Sequence, residues 1–191
     1  GIADRVDSLV GLFAVGLTPT GSADPYGLRR AALSLVQILA GKGLGLSLDQ
    51  AFRAAAGLLP VSVADQALDT LKDFSTQRMR GWLLERGYRH DLVDAVLAEQ
   101  SDNPSSALGT LRDLTDWSTK PEFATALTTF SRPSRITRDL AKELPLRPEA
   151  LSEQAERELY GALLSAEKQR SSVSTVSGLV NRAAVSGGHA V

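Results

Sequence analysis

Two helical patterns meet at the turn Pro19-Thr20-Gly21-Ser22-Ala23-Asp24-Pro25-Tyr26-Gly27-Leu28-Arg29-Arg30. Before the turn, apolar residues recur at helical spacing at Ile2, Val6, Leu9, Val10 and Phe13. After it, they recur at Leu28, Ala32, Leu35, Val36 and Leu39. Asp24 is a suitable N-cap for the second helix, Pro25 a suitable first helical residue, and Gly41 a suitable end. The stretch therefore predicts two helices joined by a structured turn.

Composition sets limits on the fold and on the partners. The chain has 191 residues, of which 43% are apolar and only 5% aromatic, so we expect an aliphatic core. A net charge of −1 gives no overall attraction to nucleic acid, and any RNA contact must use a local basic patch. Without cysteine there is no disulfide or thiolate metal site. No apolar run reaches the roughly 20 residues of a membrane helix, and we expect no membrane partner.

The rest of the chain also reads as helices separated by glycine, proline and serine. Ser47 and Gln50 form a capping-box pattern, and a weaker start signal at Ser62 and Asp65 opens the longest helix. That helix is predicted over 63–86, with Gly87 as its end and an inner stripe at Leu68, Leu71, Met79, Trp82 and Leu83. Shorter helices are predicted over 92–97, 104–117, 121–130, 149–169 and 172–185. The expected fold is all-α, an irregular bundle of roughly eight to ten helices.

Proline marks two further features of this half of the chain. Pro133 removes a backbone donor and disfavours the α region for the residue before it, so we predict a break at 131–133 with helix resuming over 134–140. The prolines at 145 and 148 indicate a linker over 144–148. The sequence starts Gly-Ile-Ala without methionine or a targeting segment, and we expect it to be a piece of a longer protein.

Two motifs carry a resemblance to a known family. The patterns I-A-D-R-x-D-S-L-V-G from Ile2 and P-T-G-S-x-D-P-x-x-L-R-R-A-A-L from Pro19 resemble the β subunit of bacterial-type glycyl-tRNA synthetase and the fused organellar form of plants and algae. The resemblance implies three regions: the end of an HD-like helical domain with its junction helix (1–41), a helical tRNA-binding or scaffold region (42–143), and a C-terminal helical hairpin truncated before the anticodon-binding end (144–191). It gives a structural role to the motif residues Asp4, Asp7, Pro19, Gly21, Asp24 and Pro25.

The resemblance also implies a function. In that family glycine is joined to its tRNA with ATP, at an activation site of the α subunit or α-like region, where ATP and magnesium would bind. This chain would supply tRNA binding and structural support, with no catalytic residue, cofactor or metal of its own. Its partners would be tRNA or another structured RNA and the α subunit, in a plastid or mitochondrion rather than a bacterial cytoplasm. The alternative is a synthetase-derived, non-catalytic subunit of a large ribonucleoprotein assembly such as an organellar ribosome.

Carboxylates near the start raise the question of a metal. The segment from Ala3 to Asp7 also resembles the last helix of HD-type phosphohydrolases, whose closing aspartate binds a divalent cation. One carboxylate cannot hold a hydrated cation firmly, and the other ligands of that class would lie before Gly1. We therefore expect capping or ion pairing from Asp4 and Asp7. The pair His90-Asp91 is expected at the start of a helix rather than in a metal site.

The candidates for RNA contact are arginines. The segment 132–147 is the most basic local stretch, with Arg132, Arg135, Arg138, Lys142 and Arg147 against Asp139 and Glu143. Within it, Arg132, Arg135 and Arg138 are the proposed contacts, and on a resumed helix Arg135 and Arg138 would share a face. Arginine binds phosphate through paired donors, although a solvated surface helix would have the same pattern. Arg29 and Arg30 lie near a helix start, where the macrodipole does not favour cations. An ion pair with Asp4 or Asp7, or an RNA phosphate, would explain them.

A second basic group surrounds two aromatic residues. It consists of Arg78, Arg80, Arg86 and Arg89, which flank Trp82 and Tyr88. Trp82 is expected in the core rather than as a platform for stacking on a base.

Overall fold

The fold is all-α, as the sequence predicts. The computed structural model describes residues 1–140 and 146–170. Within those ranges it has eight α-helices, one short 3-10 helix and no β-strand. The helices are α1 (Ile2–Ala14), α2 (Leu28–Lys42), α3 (Leu48–Ala56), α4 (Asp65–Glu85), α5 (His90–Gln100), α6 (Pro104–Ser118), α7 (Pro121–Ile136) and α8 (Gln154–Arg170), with the 3-10 helix at Pro148–Ala150. None of these helices is both long enough and apolar enough to cross a membrane.

The chain divides into two compact units, the first being Gly1–Arg112. Helices α1 to α4 pack around one core in this unit, and α5 packs on α4. Both apolar stripes around the first turn are buried except for Ile2, which packs at the edge of the core. The rings of Phe13 and Phe74 lie 5.3 Å apart and join α1 to α4. The rest of this core is largely aliphatic, as the composition predicts.

The inner stripe of α4 is also confirmed. Its members are all buried: Leu68, Leu71, Met79, Trp82 and Leu83. The guanidinium of Arg86 lies 4.9 Å from the centre of the Trp82 ring, so the tryptophan is covered on one side by a cation. Trp82 is therefore a core residue.

A network of charged side chains links α3 to α4. The carboxylate of Asp49 accepts a hydrogen bond from Arg53 at 2.9 Å and lies 3.2 Å from the ammonium of Lys72. Arg53 also contacts Asp65 at 3.0 Å, and Lys72 contacts Asp69 at 3.0 Å. Hydrogen bonding from Arg53, followed by that from Lys72, lowers the pKa of Asp49. Hydrogen bonding to Asp69, followed by that to Asp49, raises the pKa of Lys72.

Several helix ends agree with the sequence. The hydroxyl of Ser47 accepts a hydrogen bond from the Gln50 N–H at 3.1 Å, which confirms it as the N-cap of α3. His90 and Asp91 open α5, so their assignment to a helix start is also confirmed. Gly87 follows α4 with φ of +86°, a backbone conformation that glycine adopts without strain.

Other predicted ends were wrong. Helix α2 begins at Leu28 after Gly27, not at Pro25, and it continues past Gly41 to Lys42, where Gly43 ends it with φ of +66°. Helix α4, in contrast, runs from Asp65 to Glu85, close to the predicted bounds of about 63 and 86. The reason at the start of α2 is geometric, because residues 24–27 form a separate turn in which the Gly27 N–H bonds to the Asp24 carbonyl at 3.1 Å.

The second unit begins at Asp113, and most side chains of α7 and α8 in it are exposed. The rings of Trp117 and Phe123 meet edge to face at 5.0 Å. The predicted break at 131–133 was wrong, because α7 runs through Pro133 to Ile136. On an exposed helix, water can bond the carbonyl that loses its backbone partner, and the Ser134 hydroxyl bonds the Phe130 carbonyl at 2.8 Å.

The last described helix starts later than predicted. Pro148–Ala150 forms a 3-10 helix followed by the extended residue Leu151, so α8 begins at Gln154 instead of Glu149. The Glu156 carboxylate accepts a hydrogen bond from the Glu153 N–H at 3.1 Å near this start. The helix predicted at 172–185, the second helix of the predicted hairpin and residues 144–145 of the predicted linker lie outside the described residues. The three-region division at 41 and 143 stays a prediction.

Candidate functional site

The turn before α2 is held by the side chain of Asp24. Its two carboxylate oxygens accept hydrogen bonds from the backbone N–H groups of Leu28 at 2.8 Å and Arg29 at 3.0 Å. These are donors that the first turn of a helix leaves unbonded. Asp24 therefore satisfies two of the free donors of α2, but the prediction that it is the N-cap was wrong, because Gly27 occupies that position three residues later with φ of +66°.

Earlier residues close the same turn. The backbone groups of Thr20 and Ala23 exchange two hydrogen bonds, at 3.2 and 2.9 Å, around Gly21, whose φ is +52°. Pro19 precedes this loop and is half-buried, whereas Pro25 is exposed at the second position of the 24–27 turn. Proline fixes the φ that such a position requires. The motif residues of this stretch thus lie together in one ordered turn.

Arg29 and Arg30 have different environments. The guanidinium of Arg29 donates to the carbonyls of Gly21 at 2.6 Å and Ala23 at 3.2 Å, so it closes the turn from the helix side. Arg30 is exposed and makes no hydrogen bond or salt bridge with any described residue. The ion pairs that we expected between these arginines and Asp4 or Asp7 do not form in the described part of the chain. The Arg29 guanidinium donates to backbone carbonyls of the turn instead.

A groove lies between α1 and the turn. It has a volume of about 530 Å³, and its lining includes Asp4, Arg5, Ser8, Tyr26, Arg30 and Ser34. A second depression shares Arg5 and Ser34 with it and continues along α2 to Lys42. Tyr26 is 54% exposed although it sits in an ordered turn. An exposed aromatic ring, the unpaired guanidinium of Arg30 and the hydroxyls of Ser8 and Ser34 therefore meet on one surface of the first unit.

The other candidate surface is on the second unit. Arg132 and Arg135 lie on α7, and Arg138 lies in the turn that follows the helix. All three are exposed, and none makes a hydrogen bond or salt bridge to the described residues. The prediction that Arg135 and Arg138 share a helix face was wrong, because α7 ends at Ile136.

The second basic group differs from this surface because each of its arginines has a partner. Two of them pair with aspartates and two lie over aromatic rings: Arg80 with Asp94 at 2.6 Å, Arg89 with Asp91 at 2.6 Å, Arg78 over Phe74 at 5.6 Å and Arg86 over Trp82 at 4.9 Å. Hydrogen bonding from the respective arginines lowers the pKa of both Asp94 and Asp91. These arginines support the first unit.

The carboxylates of α1 point away from the core. Asp4 and Asp7 are both exposed, and the Asp4 side chain is 79% exposed. Among the described residues no three histidine, aspartate or glutamate side chains are grouped in a way that could hold a metal ion.

Sequence reasoning missed most of the groove, including Arg5, Ser8 and Tyr26. Tyr26 and Arg5 were not singled out, because neither has a signal of its own at the level of the sequence. The spacing of Arg5 and Ser8 on the outer side of α1 was the only available hint, and the position of the turn over that side had to come from the structure.

Comparison with known proteins identifies the family. The sequence model described as glycyl-tRNA synthetase beta subunit matches residues 1–98. The chain belongs to the glycyl-tRNA synthetase β-subunit family. The resemblance predicted from the two motifs is therefore confirmed, and the chain is a glycine–tRNA ligase β-subunit region.

Bacterial and plant relatives both resemble this β-subunit region. The glycine–tRNA ligase beta subunit of Moorella thermoacetica is 41% identical over 175 residues, 88% of this chain and 25% of the relative. That of Nitratidesulfovibrio vulgaris is 37% identical over 172 residues, 85% of this chain and 25% of the relative. The chloroplastic/mitochondrial glycine–tRNA ligase 2 of Arabidopsis thaliana is 34% identical over 166 residues, 86% of this chain and 16% of the relative. The chain thus spans a quarter or less of these curated relatives.

Proposed function

We propose that this β-subunit region binds the phosphate backbone of tRNA and supports a glycine–tRNA ligase whose activation site lies elsewhere. The observation that carries the proposal is the contrast between two sets of exposed arginines. Arg53, Arg80 and Arg89 each contact an aspartate. Arg132, Arg135 and Arg138 contact no acidic group among the described residues. Three guanidinium groups in one short stretch are therefore available to bind phosphates.

The chemistry of these groups suits tRNA. A guanidinium can donate two parallel hydrogen bonds to one phosphate, and such contacts fix the position of an RNA without reading its sequence. Binding of this kind needs local charge, and the overall charge of −1 does not supply it. The short stretch around the end of α7 would then hold the tRNA while another chain or region acts on it.

The proposed partners follow from the family. Glycine, ATP and magnesium would bind to an α subunit or α-like region, and this chain would contribute no catalytic residue. A plastid or mitochondrion is proposed as the site of action because the two motifs also resemble the fused organellar form, and the chloroplastic/mitochondrial enzyme of Arabidopsis thaliana is 34% identical. The alternative is partnership with a ribosome or another ribonucleoprotein, and the proteins that co-purify with the endogenous chain distinguish the two.

The RNA-binding surface can be tested with two matched pairs of substitutions in the full chain. Arg132→Gln with Arg135→Gln removes two unpaired arginines from α7, and Arg112→Gln with Arg157→Gln removes two exposed arginines outside the basic stretch. Glutamine is tolerated in helices, so α7 should remain folded. Binding of a labelled glycine tRNA transcript is measured by fluorescence anisotropy at several salt concentrations.

The proposal expects a specific loss. The α7 pair should bind more weakly and should lower the slope of log K against log salt by about 0.9 for each phosphate contact removed. The control pair should keep the wild-type slope. Equal loss in both pairs would mean that binding depends only on net charge, and unchanged binding by the α7 pair would contradict the proposed surface.

A further inference from the structure

The groove between α1 and the turn has features that the α7 surface lacks. It combines an exposed aromatic ring, Tyr26, with an unpaired cation, Arg30, and with the hydroxyls of Ser8 and Ser34. Its volume of about 530 Å³ lies within the roughly 300–1,000 Å³ typical of small-ligand clefts. A surface that only positions a double helix needs no aromatic ring, whereas unpaired bases stack on one.

The turn fixes the backbone on both sides of Tyr26. Asp24 and Gly27 close a four-residue turn through a hydrogen bond of 3.1 Å, and Pro25 within it has a restricted φ. Arg29 and the Asp24 carboxylate hold the ends of the turn. Less conformational freedom is therefore lost when a ligand binds, which strengthens binding without new contacts.

The charges in the groove favour a phosphate at one end. The Asp24 carboxylate is occupied by two backbone N–H groups at the start of α2. Arg5 donates to the carbonyl of Gly1 at 3.0 Å, so Arg30 is the cation in the groove that has no bond to a described residue. Asp4 is the opposing charge, because its carboxylate is exposed and lines the same groove.

We propose that this groove binds an unpaired RNA nucleotide, with its base stacked on the Tyr26 ring and its phosphate bound by Arg30. The inference rests on the proposed RNA-binding function and adds a second, distinct contact to it. Stacking tolerates any base because every base has a π face, so this contact recognises an unpaired strand rather than a sequence. Asp4 limits the affinity because its carboxylate lines the same groove and repels a phosphate.

The test uses the full chain and a labelled six-nucleotide single-stranded RNA. Tyr26→Ala should weaken binding about 5-fold or more, since stacking on an aromatic side chain contributes that much per base. Tyr26→Phe keeps the ring and should bind like the wild type. Tyr160→Ala removes a tyrosine from α8 and is the control for a general loss of aromatic surface.

Two charge substitutions should act in opposite directions. Arg30→Gln should weaken binding and lower the salt slope by about 0.7, the value for one phosphate of a single strand. Asp4→Asn should tighten binding. A blunt-ended RNA duplex, which has no unpaired nucleotide, should compete poorly for the site, and AMP should compete far less well than the hexamer.

The possible failures are distinguishable. If Tyr26→Phe loses as much affinity as Tyr26→Ala, or if neither changes binding, the stacking contact is wrong. Strong competition by AMP would assign the groove to a free nucleotide instead of an RNA strand, which also overturns the proposal. If the α7 substitutions reduce tRNA binding while the groove substitutions do not reduce hexamer binding, the proposed function stands and this inference falls.

Discussion

Asp24 and Arg29 hold the same turn from its two sides. The Asp24 carboxylate accepts a hydrogen bond from the Arg29 N–H at 3.0 Å, and the Arg29 guanidinium reaches back to the Gly21 carbonyl at 2.6 Å. One residue therefore satisfies the start of α2 while the other closes the loop before it. This reciprocal arrangement gives the family motif at 19–30 a physical role.

Asp24→Ala should destabilise the first unit by about 1–2 kcal/mol, because it removes the acceptor for two backbone donors at the start of α2. Asp24→Asn keeps one oxygen acceptor and should cost less. Urea unfolding followed by far-UV circular dichroism measures both. If the alanine variant is as stable as the wild type, water satisfies these donors equally well and the capping role is wrong.

The neighbouring arginines provide a matched comparison. Arg29→Gln removes hydrogen bonds to two backbone carbonyls and should lower the free energy of unfolding by about 0.5–1.5 kcal/mol. Arg30→Gln should leave stability within about 0.5 kcal/mol of the wild type, as for other surface substitutions. Equal losses in the two variants would show that the contacts of Arg29 with the turn contribute nothing of their own.

The core helices of the first unit could be predicted because their apolar residues repeat with a clear period. The stripe Leu28, Ala32, Leu35, Val36 and Leu39 is buried as expected, and so is Trp82. The start of α2 could not be predicted, since Asp-Pro is a good sequence both for a helix start and for a tight turn. Hydrogen bonding between Gly27 and Asp24 decides between them, and it depends on the rest of the loop.

Stability at low pH should depend on Asp49. Hydrogen bonds from Arg53 and Lys72 lower the pKa of Asp49 in the folded chain. Its contribution to the free energy of unfolding is therefore fully present above the pKa of Asp49 in the unfolded chain, and it is lost as the pH falls through the pKa in the folded chain. Between about pH 5 and pH 2, the wild type should therefore lose more stability than Asp49→Asn. Thermal melts across this range measure the difference.

Arg53→Gln is the control for the Asp49 account. This substitution removes the hydrogen bond that lowers the pKa of Asp49 most. The stability of the Arg53→Gln variant should therefore fall less steeply than that of the wild type as the pH decreases. If the wild type and Asp49→Asn lose the same stability from pH 5 to pH 2, the lowered pKa of Asp49 does not contribute to the pH dependence of folding.

Pro133 gives a fourth prediction. Within α7 its ring nitrogen cannot donate to the Thr129 carbonyl, so Pro133→Ala should raise helix content and stabilise the helix by about 1–3 kcal/mol. Ser134→Ala also introduces alanine but restores no backbone donor, and it should have a much smaller effect. A loss of helix content in Pro133→Ala would mean that the proline is needed for the local structure.

Only part of the candidate RNA surface could be predicted from the sequence. The cluster of arginines near Pro133 is visible in the composition, but whether Arg135 and Arg138 share a face depends on where α7 ends. Arg29 and Arg30 are adjacent arginines that the sequence alone does not distinguish, but their contacts in the structure differ. One bonds to backbone carbonyls and the other faces a groove, because adjacent positions on a helix point in directions about 100° apart.

The central claim is that this chain works as a β-subunit region of a glycine–tRNA ligase. The most direct measurement is to purify the endogenous protein under gentle conditions, identify its companions by mass spectrometry and assay the preparation for glycine–tRNA ligation. The account predicts co-purification with an α-type chain, or as part of one longer polypeptide, together with ligation activity. A 20.3-kDa chain that travels with ribosomal or other ribonucleoprotein subunits and shows no ligation would contradict it.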